Sequence, residues 1–129
     1  MRVSALDTAQ PLSGQPLSGQ PLSGAQLGML RAMLEQLRRF RLDQLDQLRR
    51  TTVRPRPPTE ADREVDRSLV SAAQAALSDI LHALRRIEDG SYGRCLHCSC
   101  PLPLDRLEVL PQAALCMPCQ RVQDALRTP

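Results

Sequence analysis

The chain has 129 residues, a formal net charge of +3, one Tyr, one Phe and no Trp. That length allows one domain with a tail, and so few aromatics exclude a large globular core. All 17 basic residues are Arg, an excess too mild to predict nucleic-acid binding by itself.

Residues 10–24 hold three tandem copies of Gln-Pro-Leu-Ser-Gly. Pro and Gly at this density disfavour helices and sheet ladders, and a five-residue period is too short for a solenoid. The composition predicts a disordered tail over 1–24, with a docking motif as the functional alternative. No apolar run is long enough for a signal peptide or a membrane span, so the chain is expected to be cytoplasmic, with its thiols reduced.

From residue 25 to 50 the pattern changes. Leu27, Leu30, Leu34, Leu37, Leu45 and Leu48 recur at helical spacing, and Arg49 and Arg50 suit the negative end of a helix dipole. Pro55, Pro57 and Pro58 end this helix. Thr59 then reads as an N-cap, with Glu60 in the first turn and Asp62 three positions on. Val65, Leu69, Ala72, Ala76, Ile80, Ala83 and Ile87 form an apolar seam as far as the stop at Gly90.

Neither helix can bury its stripe alone, so the two are expected to fold back as an antiparallel hairpin over 25–90, with its tip near 51–67. Charge supports the pairing. Residues 25–58 carry eight Arg against three acids, and residues 59–90 carry four Arg against seven acids.

The last segment, 91–129, contains Cys95-Leu96-His97-Cys98 and Cys116-Met117-Pro118-Cys119, with seventeen residues between the two pairs. A two-residue gap lets both thiolates of a pair reach one ion from a tight turn, and the intervening loop brings the second pair around. The spacing predicts one structural zinc per chain on Cys95, Cys98, Cys116 and Cys119. Two disulfides or four free thiols are the alternatives, and disulfides suit secreted chains better. A closed four-thiolate site holds zinc as a staple and leaves no open position for catalysis. His97 is a further candidate zinc ligand, but it lies inside the first pair, where its side chain is expected to point away from the metal. Cys100 reads as a spectator thiol, with a reserve ligand or a redox-sensing thiol as the functional alternative.

Two runs around these cysteines resemble the DksA/TraR zinc-finger family. One is Ala83-Leu84-Arg85-Arg86-Ile87-Glu88-Asp89-Gly90-Ser91-Tyr92-Gly93-Arg94-Cys95. The other is Pro103-Leu104-Asp105-Arg106-Leu107-Glu108, with Pro111, the second cysteine pair and Gln120 after it. The likeness covers about 59–121, with Ser99 standing where the family has Gly.

The resemblance implies an all-α chain: a long coiled-coil hairpin, a small C4 zinc finger with a short final helix, and a hairpin that enters the secondary channel of bacterial RNA polymerase. It implies that acidic residues at the tip alter initiation. Asp62-Arg63 aligns with the second Asp of the family's tip motif and its following Arg. Thr59 falls on the first Asp and Glu64 on the Ala. Asp62, Glu60, Glu64 and Arg63 are therefore the candidate partner-binding tip.

Helix capping alone is a sufficient reason for acids at these positions. Two other classes remain open: a zinc-stabilised or redox-responsive protein-interaction adaptor, and a DNA-binding zinc finger. Against the latter, Cys95–Cys119 carries a single Arg, Arg106. No nucleophile–base pair and no phosphate loop suggests an enzyme. The chain is expected to be monomeric.

Overall fold

Ser23 starts the first helix. Its hydroxyl accepts from the Gln26 N–H at 3.0 Å, and the Gln26 side chain accepts from the Ser23 N–H at 2.8 Å, a reciprocal capping box. The computed structural model describes residues 21–50 and 56–127. Helix α1 runs Gly24–Arg50 and α2 runs Glu60–Asp89; two shorter helices follow, α3 (Leu104–Val109) and α4 (Met117–Arg127). Among the described residues there is no strand, only an isolated bridge between Arg94 and Pro101. No described helix is long and apolar enough to cross a membrane.

The 30 residues of α2 extend about 45 Å at 1.5 Å per residue. Thr59 caps this helix as expected. Its hydroxyl accepts from the Asp62 N–H, and the Asp62 carboxylate accepts from the Thr59 N–H. At the other end Gly90 takes φ 84, the left-handed conformation that closes a helix at little cost only for glycine.

Helices α1 and α2 pack along each other, and Arg31 on one meets Glu88 on the other at 3.4 Å, which sets them antiparallel. Leu30 and Leu34 of α1 are fully buried with Ile80, Ala83 and Leu84 of α2. The same cluster continues through Tyr92, Cys95, Leu102 and Leu107, so the base of the hairpin and the cysteine-bearing segment share one core. The Tyr92 hydroxyl donates to the Pro111 carbonyl at 2.7 Å, and burial pushes its pKa up to about 12.

The seam of α2 differs from the expected one. Val65 and Leu69 are 57% and 47% exposed, and Ala73 is buried in place of Ala72. For Val65 and Leu69 the Arg31–Glu88 pair supplies the reason. Stepping outward residue for residue from that pair brings Leu69 level with Arg50, the last residue of α1, and leaves Val65 beyond it.

Of the tail expected over 1–24, residues 1–20 lie outside the described residues, as do residues 51–55 of the tip. The final repeat copy is engaged with the body. Leu22 is half-buried against the core cluster, and Ser23 caps α1.

Candidate metal centre and hairpin tip

Cys95 and Cys98 sit in a tight turn after α2. The Cys95 sulfur accepts from the backbone N–H groups of His97 at 3.4 Å and Cys98 at 3.5 Å. The turn is closed by the Ser99 N–H donating to the Cys95 carbonyl at 2.9 Å. Ser99 has φ 67, the left-handed conformation that suits the glycine more usual at this place in the resembled family. The Leu96 N–H donates to the Ala114 carbonyl at 2.8 Å, which ties this turn to the segment carrying the second pair. Cys116 immediately precedes α4 and Cys119 lies in its first turn, where the helix dipole favours negative charge.

The four Sγ atoms of Cys95, Cys98, Cys116 and Cys119 lie within 4.8 Å of one another. Zinc–sulfur bonds of about 2.3 Å place tetrahedral sulfurs about 3.8 Å apart. The Cys98–Cys116 separation is 3.8 Å. The donor set and its spacing therefore fit one zinc ion held by thiolates alone. Four thiols this close do not ionise together without a cation to neutralise them. The hydrogen bond to the Cys116 thiol, with burial behind it, pushes Cys119 up to about 12. At Cys95 burial works against ionisation, but the N–H groups of Cys98, Cys116 and His97 outweigh it and draw the thiol down to about 6. A divalent cation removes the conflict by stabilising all four negative sulfurs.

Cys100 stays outside this group and is exposed. Its backbone does contribute, accepting the Cys95 N–H at 2.8 Å. His97 departs from expectation. Its ring reaches toward the second pair, with Nδ1 3.7 Å from the Cys119 sulfur.

At the tip the acids are already paired within the chain. One Asp62 carboxylate oxygen accepts both the Thr59 N–H at 2.9 Å and the Arg56 guanidinium at 2.8 Å. Those hydrogen bonds, the Thr59 one first, hold the carboxyl well below its ordinary range, at about 2. Glu60 meets Arg63 at 3.4 Å and Arg67 at 3.1 Å, and Glu64 meets Arg67 at 3.0 Å. Glu60, Arg63 and Glu64 are exposed, whereas the Asp62 side chain is 22% exposed.

Residues 90–125 match the family model described as the prokaryotic dksA/traR C4-type zinc finger. Over those residues the C-terminal module is similar to that family's zinc finger. A protein of Caulobacter vibrioides, "RNA polymerase-binding transcription factor DksA", is 38% identical over 65 residues, covering 50% of this chain and 46% of that one. "General stress protein 16O" of Bacillus subtilis is 33% identical over 68 residues, covering 52% of this chain and 42% of that one. The chain thus spans under half the length of these curated relatives. A solved structure, that of transcription factor DksA2 from Pseudomonas aeruginosa, is 26% identical with a TM-score of 0.59. It is similar over 86% of this chain and 95% of its own.

Two features near the zinc finger differ from what the sequence suggests. Arg86 is 8% exposed, and its Nη2 has no hydrogen-bond partner among the described residues. Desolvation lowers its pKa, against the pull of Tyr92, Asp89 and Asp79. An arginine in a run of charged residues at the end of a helix reads as surface, and nothing in the spacing marks this one. The ring of His97 is the second, since one histidine between two ligands carries no periodicity from which its direction follows.

Proposed function

We propose that this chain is a zinc-stabilised transcription regulator that acts by binding bacterial RNA polymerase through its helical hairpin. The observation that carries the reading is the pairing of a two-helix arm with a C4 module. That arrangement is similar to DksA2 over 86% of the chain, beside a Caulobacter relative named for polymerase binding. In this reading Cys95, Cys98, Cys116 and Cys119 hold one structural zinc per chain and set the angle of the hairpin. The protein works in the cytoplasm as a monomer and performs no catalysis of its own. A protein partner suits the surface better than DNA does. The segment Cys95–Cys119 has Arg106 as its single Arg, while Leu96, Val122 and Leu126 are 62%, 59% and 82% exposed.

The tip is the acting end: Asp62, Glu60, Glu64 and Arg63. Asp62 shapes the start of α2 through its cap and the Arg56 pair, while Glu60 and Glu64 offer the more exposed carboxylates. Exposed ion pairs of this kind are weak, so a stronger cationic or metal-bearing surface would draw these acids from Arg63 and Arg67. Affinity then comes from the sides of the hairpin and the zinc finger, and the effect on initiation from the tip charges.

The test is co-elution of the zinc-loaded protein with core polymerase, with crosslinkers placed at positions 60 and 64. The expected result is a complex whose crosslinks lie in the secondary channel. Glu60→Gln with Glu64→Gln should keep affinity within a few-fold and lose the effect on initiation. Asp62→Asn is read alongside its circular dichroism, because it also removes a cap. No complex with polymerase would overturn the proposal in favour of a protein-interaction adaptor.

A further inference from the structure

We propose that His97 is a positioning residue of the metal centre, holding the Cys119 thiolate by an N–H···S hydrogen bond and slowing exchange of the bound ion. The inference rests on the reading that the four cysteines hold zinc. His97 touches both halves of the site. Its backbone N–H points at the Cys95 sulfur at 3.4 Å, and its ring Nδ1 lies 3.7 Å from the Cys119 sulfur. A thiolate bound to a cation has lone pairs and no proton, so in this contact it only accepts. The contact therefore places the imidazole proton on Nδ1 and leaves Nε2 for solvent.

The two contacted sulfurs are supported differently. Cys95 is buried and accepts two backbone N–H groups. Cys119 is half-buried and borders an open groove of about 500 Å³ lined by Leu96, Pro118, Val122 and Leu126. Among the described residues, the His97 imidazole is its one hydrogen-bond partner from outside the cysteine cluster. Loss of a tightly held ion begins when one metal–sulfur bond opens, and a sulfur kept in place closes that bond again sooner. Hydrogen bonding from beyond the ligands typically changes metal affinity by about 10–100-fold.

The experiment uses the full chain loaded with zinc. Transfer of the ion to excess colorimetric chelator is timed for the wild type, His97→Ala and His97→Asn. The Asn amide nitrogen occupies the same place along the side chain as Nδ1, so it restores the donor without the ring. We expect His97→Ala to bind one zinc yet release it about 10-fold faster, the low end of such outer-shell effects. His97→Asn should recover most of the wild-type rate. With cobalt(II) in place of zinc, the sulfur-to-metal charge-transfer band should move to longer wavelength in His97→Ala and return in His97→Asn. No metal on the wild-type protein would remove the zinc reading and this inference together. Metal on the wild type with the rate and band unmoved in His97→Ala would overturn the role of His97 alone. Equal acceleration in both variants would do the same, since ring bulk and not the hydrogen bond would then be responsible.

Discussion

Leu22 lies across the bare α-carbon of Gly93, with its Cδ1 3.3 Å from the point where a side chain at position 93 would begin. Gly93 also has φ 94, a conformation that L side chains rarely adopt. It stands two residues before Cys95, and its carbonyl accepts the Leu102 N–H at 2.8 Å. One contact thus joins the entry to α1 with the first metal-ligating turn. Gly93→Ala is expected to cost about 1–3 kcal/mol, from the left-handed backbone and the displaced leucine together. Leu22→Ala, which loses only part-buried packing, should cost less than that. Thermal melts of the zinc-loaded variants check both, and an unchanged midpoint for Gly93→Ala would mean that neither constraint operates.

Loss of any one of the four clustered thiols should release the metal. Replacing Cys95, Cys98, Cys116 or Cys119 with Ser leaves three thiolates for a tetrahedral ion, and in so small a module binding energy is folding energy. Elemental analysis should find about one zinc per wild-type chain and much less in each of these variants. Cys100→Ser should keep full occupancy, because its thiol is outside the group and its carbonyl, which holds the Cys95 N–H, is retained. Loss of metal from Cys100→Ser would make that residue a ligand.

Where one residue type had one physical reason to be where it is, the sequence could be read directly. Thr59 and Asp62 three apart before an apolar run specify a capping box, and the box is present. Gly90 marks the stop of α2, and the spacing of the four cysteines gives a cluster of sulfurs. The seam of α2 was legible at its base, in Ile80 and Ala83, and not at its outer end. Val65 and Leu69 fit the period as well as Ile80 does, but whether a periodic position is covered depends on where the partner helix stops. Adjacent alanines at 72 and 73 differ by one step of rotation, which composition does not resolve. The third repeat copy shares its sequence with the first two, so nothing local says that Leu22 and Ser23 have partners. The partners are Gly93, far along the chain, and Gln26, three residues on.

Arg86 carries the cost of a buried donor without a partner. Replacing a buried polar group by an apolar one of similar shape is often neutral or stabilising, whereas breaking a satisfied pair is not. Since Nη2 of Arg86 is unpartnered among the described residues, Arg86→Met is expected to leave stability unchanged or raise it by on the order of 1 kcal/mol, read as an unchanged or higher thermal midpoint. A fall of several degrees in the same melt would mean that the guanidinium has a strong partner in solution, with ordered water beside the buried Gln112 Oε1 the first place to look.

The acid titration of Asp62 tests the tip directly. Its carboxyl is lowered from 3.8 to about 2, by the Thr59 N–H first and the Arg56 guanidinium next. A group depressed in the folded chain contributes stability that is fully present above its unfolded pKa and is lost as pH falls through the folded one. The window for Asp62 therefore runs from about pH 4 down to about pH 2. Thiolate protonation releases zinc over the same range, so a global melt would confuse the two events. Carbon-13 shifts of the Asp62 carboxyl separate them, and the expected midpoint is near 2. Arg56→Gln should move that midpoint up part of the way. Thr59→Pro, which removes the donating backbone N–H at a φ that proline accepts, should move it up further toward the ordinary range. A wild-type midpoint near 3.8 would show that the Thr59–Asp62 box does not hold in solution, and would free Asp62 to act as an exposed tip carboxylate beside Glu60 and Glu64.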